Sequence, residues 1–242
     1  MQDYMVTPAA EQAKEMCKAV ITGRKYGRMG QIIGDPGTGK SSLAAWLAGE
    51  FGAIHIECWA KMAKKALLQE IAREYEAVHD VAMPQTGSAD TFFHRLRAAG
   101  LDGKLILVDE ANQLSWATIE VLRGLSDRGA GVVLVGTSVL SRTLKLAQSQ
   151  IYTQQIRQRI GAKSVEMKPV ANVAELAAYV LAPRFGQVTK TTAKMFYQET
   201  GGYWRSSVEL ADACTRLMQN ENLEKLDQDV VATAAAWMAR AA

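Results

Sequence analysis

The stretch that decides the fold runs from residue 29 to residue 47 and reads Met29-Gly30-Gln31-Ile32-Ile33, then Gly34-Asp35-Pro36-Gly37-Thr38-Gly39-Lys40-Ser41, then Ser42-Leu43-Ala44-Ala45-Trp46-Leu47. The first part has the apolar character of a short buried strand, and the last part continues as a helix with an apolar face. Between them lies a complete P-loop, the pattern G-x-x-x-x-G-K-[ST]. This order of strand, loop and helix predicts a site for a nucleoside triphosphate.

The chemistry of the loop explains its composition. Its glycines allow a tight turn whose backbone N–H groups point inward at phosphate oxygens, and the helix that opens at Lys40 adds its positive end. In such a loop Lys40 reaches the β- and γ-phosphates, and the Ser41 hydroxyl is a ligand of Mg²⁺. The predicted ATP-binding residues are Gly34, Asp35, Pro36, Gly37, Thr38, Gly39, Lys40, Ser41 and Ser42. A second motif, the apolar segment 105–110, ends in the carboxylates Asp109 and Glu110. Together the two motifs predict ATP hydrolysis.

Composition narrows the class of protein. A chain of 242 residues can bury a sizeable core. Its formal charge of +3 is too small to indicate a nucleic-acid-binding protein by itself, so any basic surface must be local. Cys17, Cys58 and Cys214 are isolated and odd in number, which predicts reduced thiols in a cytosolic setting and neither zinc nor a disulfide framework. No apolar run is long enough to span a bilayer, so we expect a soluble cytoplasmic protein with no membrane partner.

Strands and helices alternate in the first two thirds of the chain. Five segments read as strands, at about 29–33, 53–58, 105–109, 131–136 and 164–167. Helices are predicted near 9–21, 40–47, 66–75, 88–96 and 117–125, with 76–87 as a loop, and from residue 171 only helices follow, near 172–182, 190–199, 204–219 and 226–241. The alternation predicts an α/β fold with a five-stranded parallel sheet covered by helices on both faces. We expect a nucleotide-binding domain over 1–170 and a small helical lid over 171–242.

These residues resemble a family, the AAA+ ATPases. The resemblance covers nearly the whole chain and rests on the P-loop, the strand that ends in Asp109 and Glu110, the strand that ends in Thr137, an arginine-bearing helix before the fifth strand, and Gly202-Tyr203-Trp204-Arg205 in the lid. Within the family, the segments 109–114 and 154–160 look most like the transposition ATPases of the MuB and TnsC type. Proteins of that type often carry a separate N-terminal DNA-binding segment, whereas the P-loop here begins at Gly34, so the resemblance leaves open any activity that depends on such a segment.

The resemblance implies a role for each matching residue. Asp109 holds Mg²⁺ through water, and Glu110 polarises the attacking water as general base. Thr137 matches the sensor-1 position, where a polar side chain orients that water, although Ser and Thr beyond a strand are also ordinary turn residues. Arg205 matches sensor 2, a lid arginine that contacts the γ-phosphate.

Two arginines in the helix before the fifth strand match the finger that one subunit points into the nucleotide of its neighbour. Arg159 is the first choice and Arg157 the alternative, and the polar run in which both lie does not separate them. A second cation at the transferring phosphoryl group accelerates turnover by about 10³ to 10⁵. The resemblance therefore implies a homo-oligomer, a helical filament or a ring, in which the isolated monomer is nearly inactive.

Lysines just after the second strand suggest contact with DNA. Lys61, Lys64 and Lys65 lie in a region that, in the resembling family, faces the central channel and the backbone of double-stranded DNA. Extending the predicted helix back from Leu67 and Leu68 would aim Lys64 along the apolar stripe, so either the first turn projects beyond the core or that lysine snorkels. A weaker second patch is His94, Arg95 and Arg97. Binding to phosphates would carry little sequence preference.

The resulting hypothesis is a bacterial AAA+ ATPase, encoded by a phage or mobile element if the likeness extends that far, that assembles on target DNA with ATP and stimulates a transposase. Hydrolysis would then dismantle the assembly. A helicase loader or another AAA+ remodelling ATPase shares every catalytic residue and is the first alternative. A small-molecule kinase with the same P-loop is less favoured because the lid offers Arg205 but no obvious base. A module that uses ATP only as a structural ligand would not need Glu110.

Overall fold

The computed structural model describes residues 4–24, 27–145 and 150–241 of the 242-residue chain. The chain divides into two compact units. The first consists of Met1–Asp35 and Lys40–Met167, and the second of Pro36–Gly39 and Lys168–Ala242. Four residues of the P-loop thus group with the C-terminal helices, while Lys40 belongs to the first unit. No helix of the described residues is both long and apolar enough to cross a membrane.

In the described part of the first unit, five strands form one parallel sheet, which confirms the predicted fold class. The strands are β1 (Met29–Gly34), β2 (Ile54–Glu57), β3 (Leu105–Asp109), β4 (Gly131–Gly136) and β5 (Ser164–Met167). Their order across the sheet is β2-β3-β4-β1-β5, so β4 is the middle strand, β3 and β1 lie on either side of it, and β2 and β5 are the edge strands. Since all strands are parallel, Asp35 after β1, Glu110 after β3 and Thr137 after β4 lie at the same, carboxyl edge of the sheet.

Helices cover both faces of this sheet. They are α1 (Pro8–Ile21), α2 (Lys40–Phe51), α3 (Lys64–His79), α4 (Ala89–Ala99), α5 (Trp116–Ser126), α6 (Ser138–Thr143) and α7 (Gln150–Ile160). Alternation within β3 shows the two layers. Leu105 and Leu107 pack with the apolar residues of α1 and α2, whereas Ile106 and Val108 pack with those of α3, α4, α5 and α7. Every residue of β3 and β4 is buried, as expected for central strands of a two-sided sheet.

Helix α3 is longer than the sequence pattern predicts. It begins at Lys64 instead of residue 66 and ends at His79 instead of residue 75, so the predicted loop from 76 starts only after the left-handed cap Asp80. The buried stripe of the helix starts at Leu67, while Lys64 and Lys65 are exposed. The first turn therefore projects beyond the core. The periodicity underestimated the helix because its ends carry no apolar residue that points inward.

The second unit is helical. Its helices are α8 (Val173–Leu176), which continues through a π-helical turn (Ala177–Leu181) into α9 (Ala182–Phe185), then α10 (Lys190–Thr200), α11 (Trp204–Asn220) and α12 (Gln228–Ala241). A separate apolar core holds them together, with Leu181, Phe196, Leu210 and Val231 among its buried members. The first helical segment runs past residue 182, where the sequence pattern placed its end, and stops at Gly186, whose φ of 68° breaks the helix.

Candidate nucleotide site and exposed basic side chains

The P-loop turns sharply between β1 and α2. Gly37 and Gly39 have φ values of 82° and 86°, a left-handed conformation that side chains rarely adopt, which explains glycine at both positions. Thr38, between them, is completely buried. Helix α2 begins at Lys40, and Ser41 and Ser42 in its first turn are exposed. An N-terminus of this kind attracts anions.

Lys40 is held close to the loop. Its side chain is only 6% exposed, and its Nζ donates to the Asp35 carbonyl oxygen at 2.8 Å. A buried ammonium is costly unless it is paired or hydrogen-bonded. The fold thus places one positive charge at the carboxyl edge of the sheet, against the backbone of the loop.

The carboxylates after β3 have different environments. Asp109, the last residue of the strand, is 2% exposed, and its Oδ1 accepts a hydrogen bond from the Glu110 N–H at 2.8 Å. Glu110 itself is half-buried and has a left-handed backbone with φ 50°. This sharp turn directs the chain away from the strand immediately after the buried Asp109. One carboxylate is therefore fixed at the strand end, and the next stands in the turn that follows.

Asn112 connects Glu110 to β4, a link that sequence reasoning missed. Its Nδ2 donates to Glu110 Oε2 at 3.2 Å, and its Oδ1 accepts from the Thr137 N–H at 3.0 Å. Thr137 is the N-cap of α6, and its Oγ1 accepts a long bond from the Val139 N–H at 3.4 Å. The side chain of Thr137 thus has a capping role in addition to any role toward a ligand. An amide three residues after Asp109, the last residue of the strand, was the available signal.

Cys58 lies near these carboxylates. Burial, and then the negative charges of Asp109, Glu110 and Glu57, raise the pKa of its thiol to about 12. Burial also raises the pKa of Cys17 to about 12 and that of Cys214 to about 11. All three thiols are free and buried, and they remain neutral near pH 7. None of them has the thiolate character that a nucleophile or a metal ligand requires.

The two arginines of α7 have opposite surroundings. Arg159 is 7% exposed and forms a bidentate ion pair with Asp127, the C-cap of α5, with Nε to Oδ1 at 2.8 Å and Nη2 to Oδ2 at 3.0 Å. Arg123 of α5 also donates to Asp127. Arg157 is exposed, and its side chain has no hydrogen-bond or ion-pair partner among the described residues. Since two residues are about 200° apart around a helix axis, these side chains leave α7 on nearly opposite sides.

Arg205 lies in the first turn of α11, and this turn contacts the P-loop residues of the same unit. The Arg205 N–H donates to the Gly37 carbonyl oxygen at 3.1 Å. A Cβ at Gly37 would lie 3.6 Å from Arg205 Cβ, and one at Gly39 would lie 3.4 Å from the Trp204 ring. The Arg205 side chain is exposed. Its backbone, rather than its guanidinium, makes the recorded contact with the loop.

The chain between β2 and α3 forms a basic segment, residues 59–65. Met62 is 2% exposed and anchors the segment in the core, and its N–H donates to the Trp59 carbonyl oxygen at 3.1 Å. Lys61, with a φ of 58°, is exposed, as are Lys64 and Lys65. Trp59 is 51% exposed beside them. Helix α3 starts here without a side-chain cap and without an acidic residue in its first turn.

Comparisons with known proteins agree with this geometry. The family model described as "AAA domain" matches residues 23–144, just over half of the chain. Comparison with curated proteins gives no significant match. Among solved structures, the ORC2 protein of Aeropyrum pernix in its ADP form is 16% identical, with a TM-score of 0.68 over 98% of this chain and 71% of that chain.

Two further structures have the same fold. The ORC1 protein of Aeropyrum pernix, solved in complex with DNA, is 18% identical, with a TM-score of 0.67 over 98% of this chain and 68% of that chain. The RuvB Holliday junction branch migration motor of Thermotoga maritima is 16% identical, with a TM-score of 0.57 over 95% of this chain and 68% of that chain. At these identities the similarity concerns the fold. With the family match over residues 23–144 and the P-loop and carboxylates in place, the chain belongs to the AAA domain family of AAA+ ATPases.

Proposed function

We propose that this chain hydrolyses ATP, assembles on double-stranded DNA in its ATP state and stimulates a partner transposase. The observation that carries the proposal is the carboxyl edge of the sheet. There, the buried Lys40, which donates to the Asp35 carbonyl oxygen, shares one edge with the buried Asp109 and with Glu110 in the turn beyond it. Phosphoryl transfer needs positioned charges more than covalent chemistry, and this edge supplies both signs of charge.

The roles at the edge follow from charge and burial. Lys40 neutralises the β- and γ-phosphates, and Glu110 accepts the proton of the attacking water. Asp109 and the exposed Ser41 offer the oxygen ligands that Mg²⁺ prefers, and both stand at the same edge. A bound Mg²⁺ would neutralise charge on the phosphates. Thr137 and Arg205 remain candidates for orienting the water and for contacting the γ-phosphate.

Arg157 is the residue that one subunit contributes to the nucleotide site of its neighbour. Of the two candidate arginines, Arg159 has its guanidinium engaged by Asp127 within its own chain. Arg157 is exposed and available to a second copy. The first choice made from the sequence, Arg159, is therefore replaced by Arg157, because a finger must reach beyond its own subunit.

DNA contact is proposed for the basic segment. Cations in the first turn oppose the helix dipole, so Lys64 and Lys65 at the start of the uncapped α3 are unfavourable for the isolated helix. A phosphate group at this position would relieve that cost, since it would accept bonds from the free N–H groups and pair with the lysines. The ORC1 structure with DNA makes DNA a reasonable ligand for this fold.

Two classes of partner are compatible with an ATPase that assembles on DNA. A transposase is inferred from the resemblance of the segments 109–114 and 154–160 to the transposition ATPases. The similarity in fold to ORC1, ORC2 and RuvB favours a second candidate, a remodelling ATPase of replication or recombination, such as a helicase loader. Both candidates require ATP-dependent assembly on DNA.

Electron microscopy tests the ATP-dependent assembly on DNA that both candidates require. The purified protein is imaged with ATP, with ADP and without nucleotide, each with and without duplex DNA. We expect filaments or rings that need both ATP and DNA, and assemblies that persist in the Glu110→Gln variant because hydrolysis no longer dismantles them. Unassembled protein under every condition would contradict the proposal. Two activity assays then separate the candidates. A transposition ATPase should stimulate strand transfer by a transposase, whereas a helicase loader should load a replicative helicase.

A further inference from the structure

Asn112 stands between two groups to which the proposed mechanism assigns roles. It lies in the 3₁₀ turn Ala111–Gln113 directly after Glu110, and it is half-buried. Its amide makes one bond with the Glu110 carboxylate, at 3.2 Å, and one with the Thr137 backbone N–H, at 3.0 Å. The two bonds use the amide in a definite orientation, because only Oδ1 can accept from the Thr137 N–H and only Nδ2 can donate to the carboxylate.

The carboxylate of Glu110 depends on this amide. Among the described residues, Asn112 is the one recorded hydrogen-bond donor to either of its carboxylate oxygens. A glutamate side chain has several rotatable bonds, so a carboxylate without such a donor would sample several positions. The hydrogen bond is also charge-assisted, and hydrogen bonds of this kind are stronger than those between neutral groups.

Gly136, the last residue of β4, leaves room for the side chain of Asn112. Gly136 is buried, and a Cβ built at this position would lie 2.5 Å from Asn112 Oδ1. Gly136 has no positive φ that would call for glycine on backbone grounds. Glycine at position 136 therefore allows the Asn112 amide to approach the end of the strand closely.

We propose that Asn112 is a positioning residue that holds the Glu110 carboxylate in the place from which it activates water, and that it takes its own orientation from the end of β4. The proposal rests on the proposed role of Glu110 as general base. It adds that the position of this base is set by a side chain two residues later, through a bond to the backbone of Thr137. A movement of the β4 end would thereby be transmitted to the base.

Steady-state ATPase kinetics and calorimetric ATP binding test this role. Asn112→Ala removes both bonds. Asn112→Asp keeps the shape and the acceptor for the Thr137 N–H but places an acceptor-only carboxylate against Glu110. We expect kcat to fall roughly 10- to 100-fold in both variants, since misplacing a reacting group costs factors of this size, while the Kd for ATP stays within about twofold. Gln113→Ala, an exposed neighbour in the same turn, is the matched control and should leave kcat unchanged.

A double-mutant cycle separates positioning from a general structural effect. In the Glu110→Gln background Asn112→Ala should cause no further loss of kcat, because the base that it positions is already absent. Gly136→Ala should reproduce the loss seen with Asn112→Ala by displacing the amide. Equal losses from Asn112→Ala in both backgrounds, or a normal kcat in the single Asn112 variants, would overturn the inference. If instead Glu110→Gln itself keeps full turnover, the proposed base is wrong and the failure lies with the proposed function.

Discussion

In the basic segment Lys61, Lys64 and Lys65 are exposed, whereas at the carboxyl edge of the sheet Lys40 is 6% exposed and Asp109 is 2% exposed. The groups at the edge are bonded to other groups of the same chain, as Lys40 is to the Asp35 carbonyl oxygen. The lysines of the segment have no ion-pair partner among the described residues. Burial therefore distinguishes charged groups that their own chain holds in place, such as Lys40, from charged groups that their own chain leaves in contact with solvent, such as the three lysines.

Arg159 and Arg157 repeat this contrast within one helix. Arg159 is buried and paired with Asp127, and Arg157 is exposed. If exposure marks charged groups that act on another macromolecule, Arg157 should serve a neighbouring subunit and Arg159 should stabilise the fold. Substitution of each charged group should therefore have a different effect, which decreases from the subunit interface to the DNA surface.

The largest effect is expected for Arg157→Ala. Loss of a finger removes the cation that stabilises the transferring phosphoryl group, so DNA-stimulated ATP turnover should fall by about 10³-fold or more. ATP binding by the isolated chain should be unchanged, because the residue completes another subunit's site. Mixing Arg157→Ala with Glu110→Gln should restore part of the activity, since some interfaces then join an intact arginine to an intact glutamate.

Arg159→Ala is the matched comparison for that variant. Removal of this arginine leaves Asp127 without its bidentate partner, so the free energy of unfolding should decrease by roughly 1–3 kcal/mol, measured by denaturant titration. Arg157→Ala should leave that free energy nearly unchanged. If Arg159→Ala is as stable as the parent protein and is rescued by mixing, while Arg157→Ala is fully active, the assignment of the two arginines is reversed.

The second effect concerns the carboxyl edge itself. Lys40→Ala should lose ATP binding, because this residue meets the phosphates in the ground state. Glu110→Gln should bind ATP normally and turn over about 10² to 10⁴ times more slowly, the range for loss of a general base. Calorimetry and single-turnover kinetics separate the two. Equal losses of ATP affinity in both variants would contradict these roles.

The fold was largely predictable because its signals are local in sequence. The P-loop places its glycines, Lys40 and Ser41 within eight consecutive positions, and the strand before Asp109 is a continuous apolar run. A parallel sheet follows from strands that alternate with helices. Local motifs of this kind need no knowledge of distant contacts.

The contacts that could not be predicted from the sequence join residues that are far apart in the chain. Arg159 meets Asp127 across 32 positions, and Asn112 meets Thr137 across 25 positions. Neither pair has a recognisable spacing, so the polar run around Arg157 and Arg159 looked uniform. The start of α3 was misjudged for a related reason, since Lys64 and Lys65 interrupt the apolar periodicity although they belong to the helix.

The third effect tests the basic segment. Replacing Lys61, Lys64 and Lys65 together by alanine should weaken binding to duplex DNA in the presence of ATP, similarly for unrelated sequences. The log–log dependence of affinity on salt should become flatter by about 0.9 per lost phosphate contact and per bound subunit. Fluorescence anisotropy over a range of salt concentrations measures both quantities, and ATP affinity should not change.

The control for the lysines is the Arg95→Ala, Arg97→Ala variant. Both arginines are exposed on α4, and Arg95 donates to the Ala82 carbonyl oxygen within its own chain at 3.0 Å. We expect this variant to bind DNA nearly as the parent does. A triple lysine variant that keeps its affinity and salt slope, together with a control that loses them, would move the DNA surface to α4.

The smallest effect is expected for Trp59→Ala. Trp59 is 51% exposed beside the three lysines, and an indole covered by a bound DNA backbone would add an apolar contact of roughly 1 kcal/mol, or about a fivefold change in affinity. Since this contact releases no counterions, the salt slope should stay that of the parent while the whole line shifts to weaker binding. Trp237→Ala removes another exposed tryptophan, 44% exposed on α12 of the second unit, and should leave DNA affinity unchanged. A loss of affinity in Trp237→Ala but not in Trp59→Ala would place the DNA surface on the second unit, and the contrast between the buried edge and the basic segment would then say nothing about DNA.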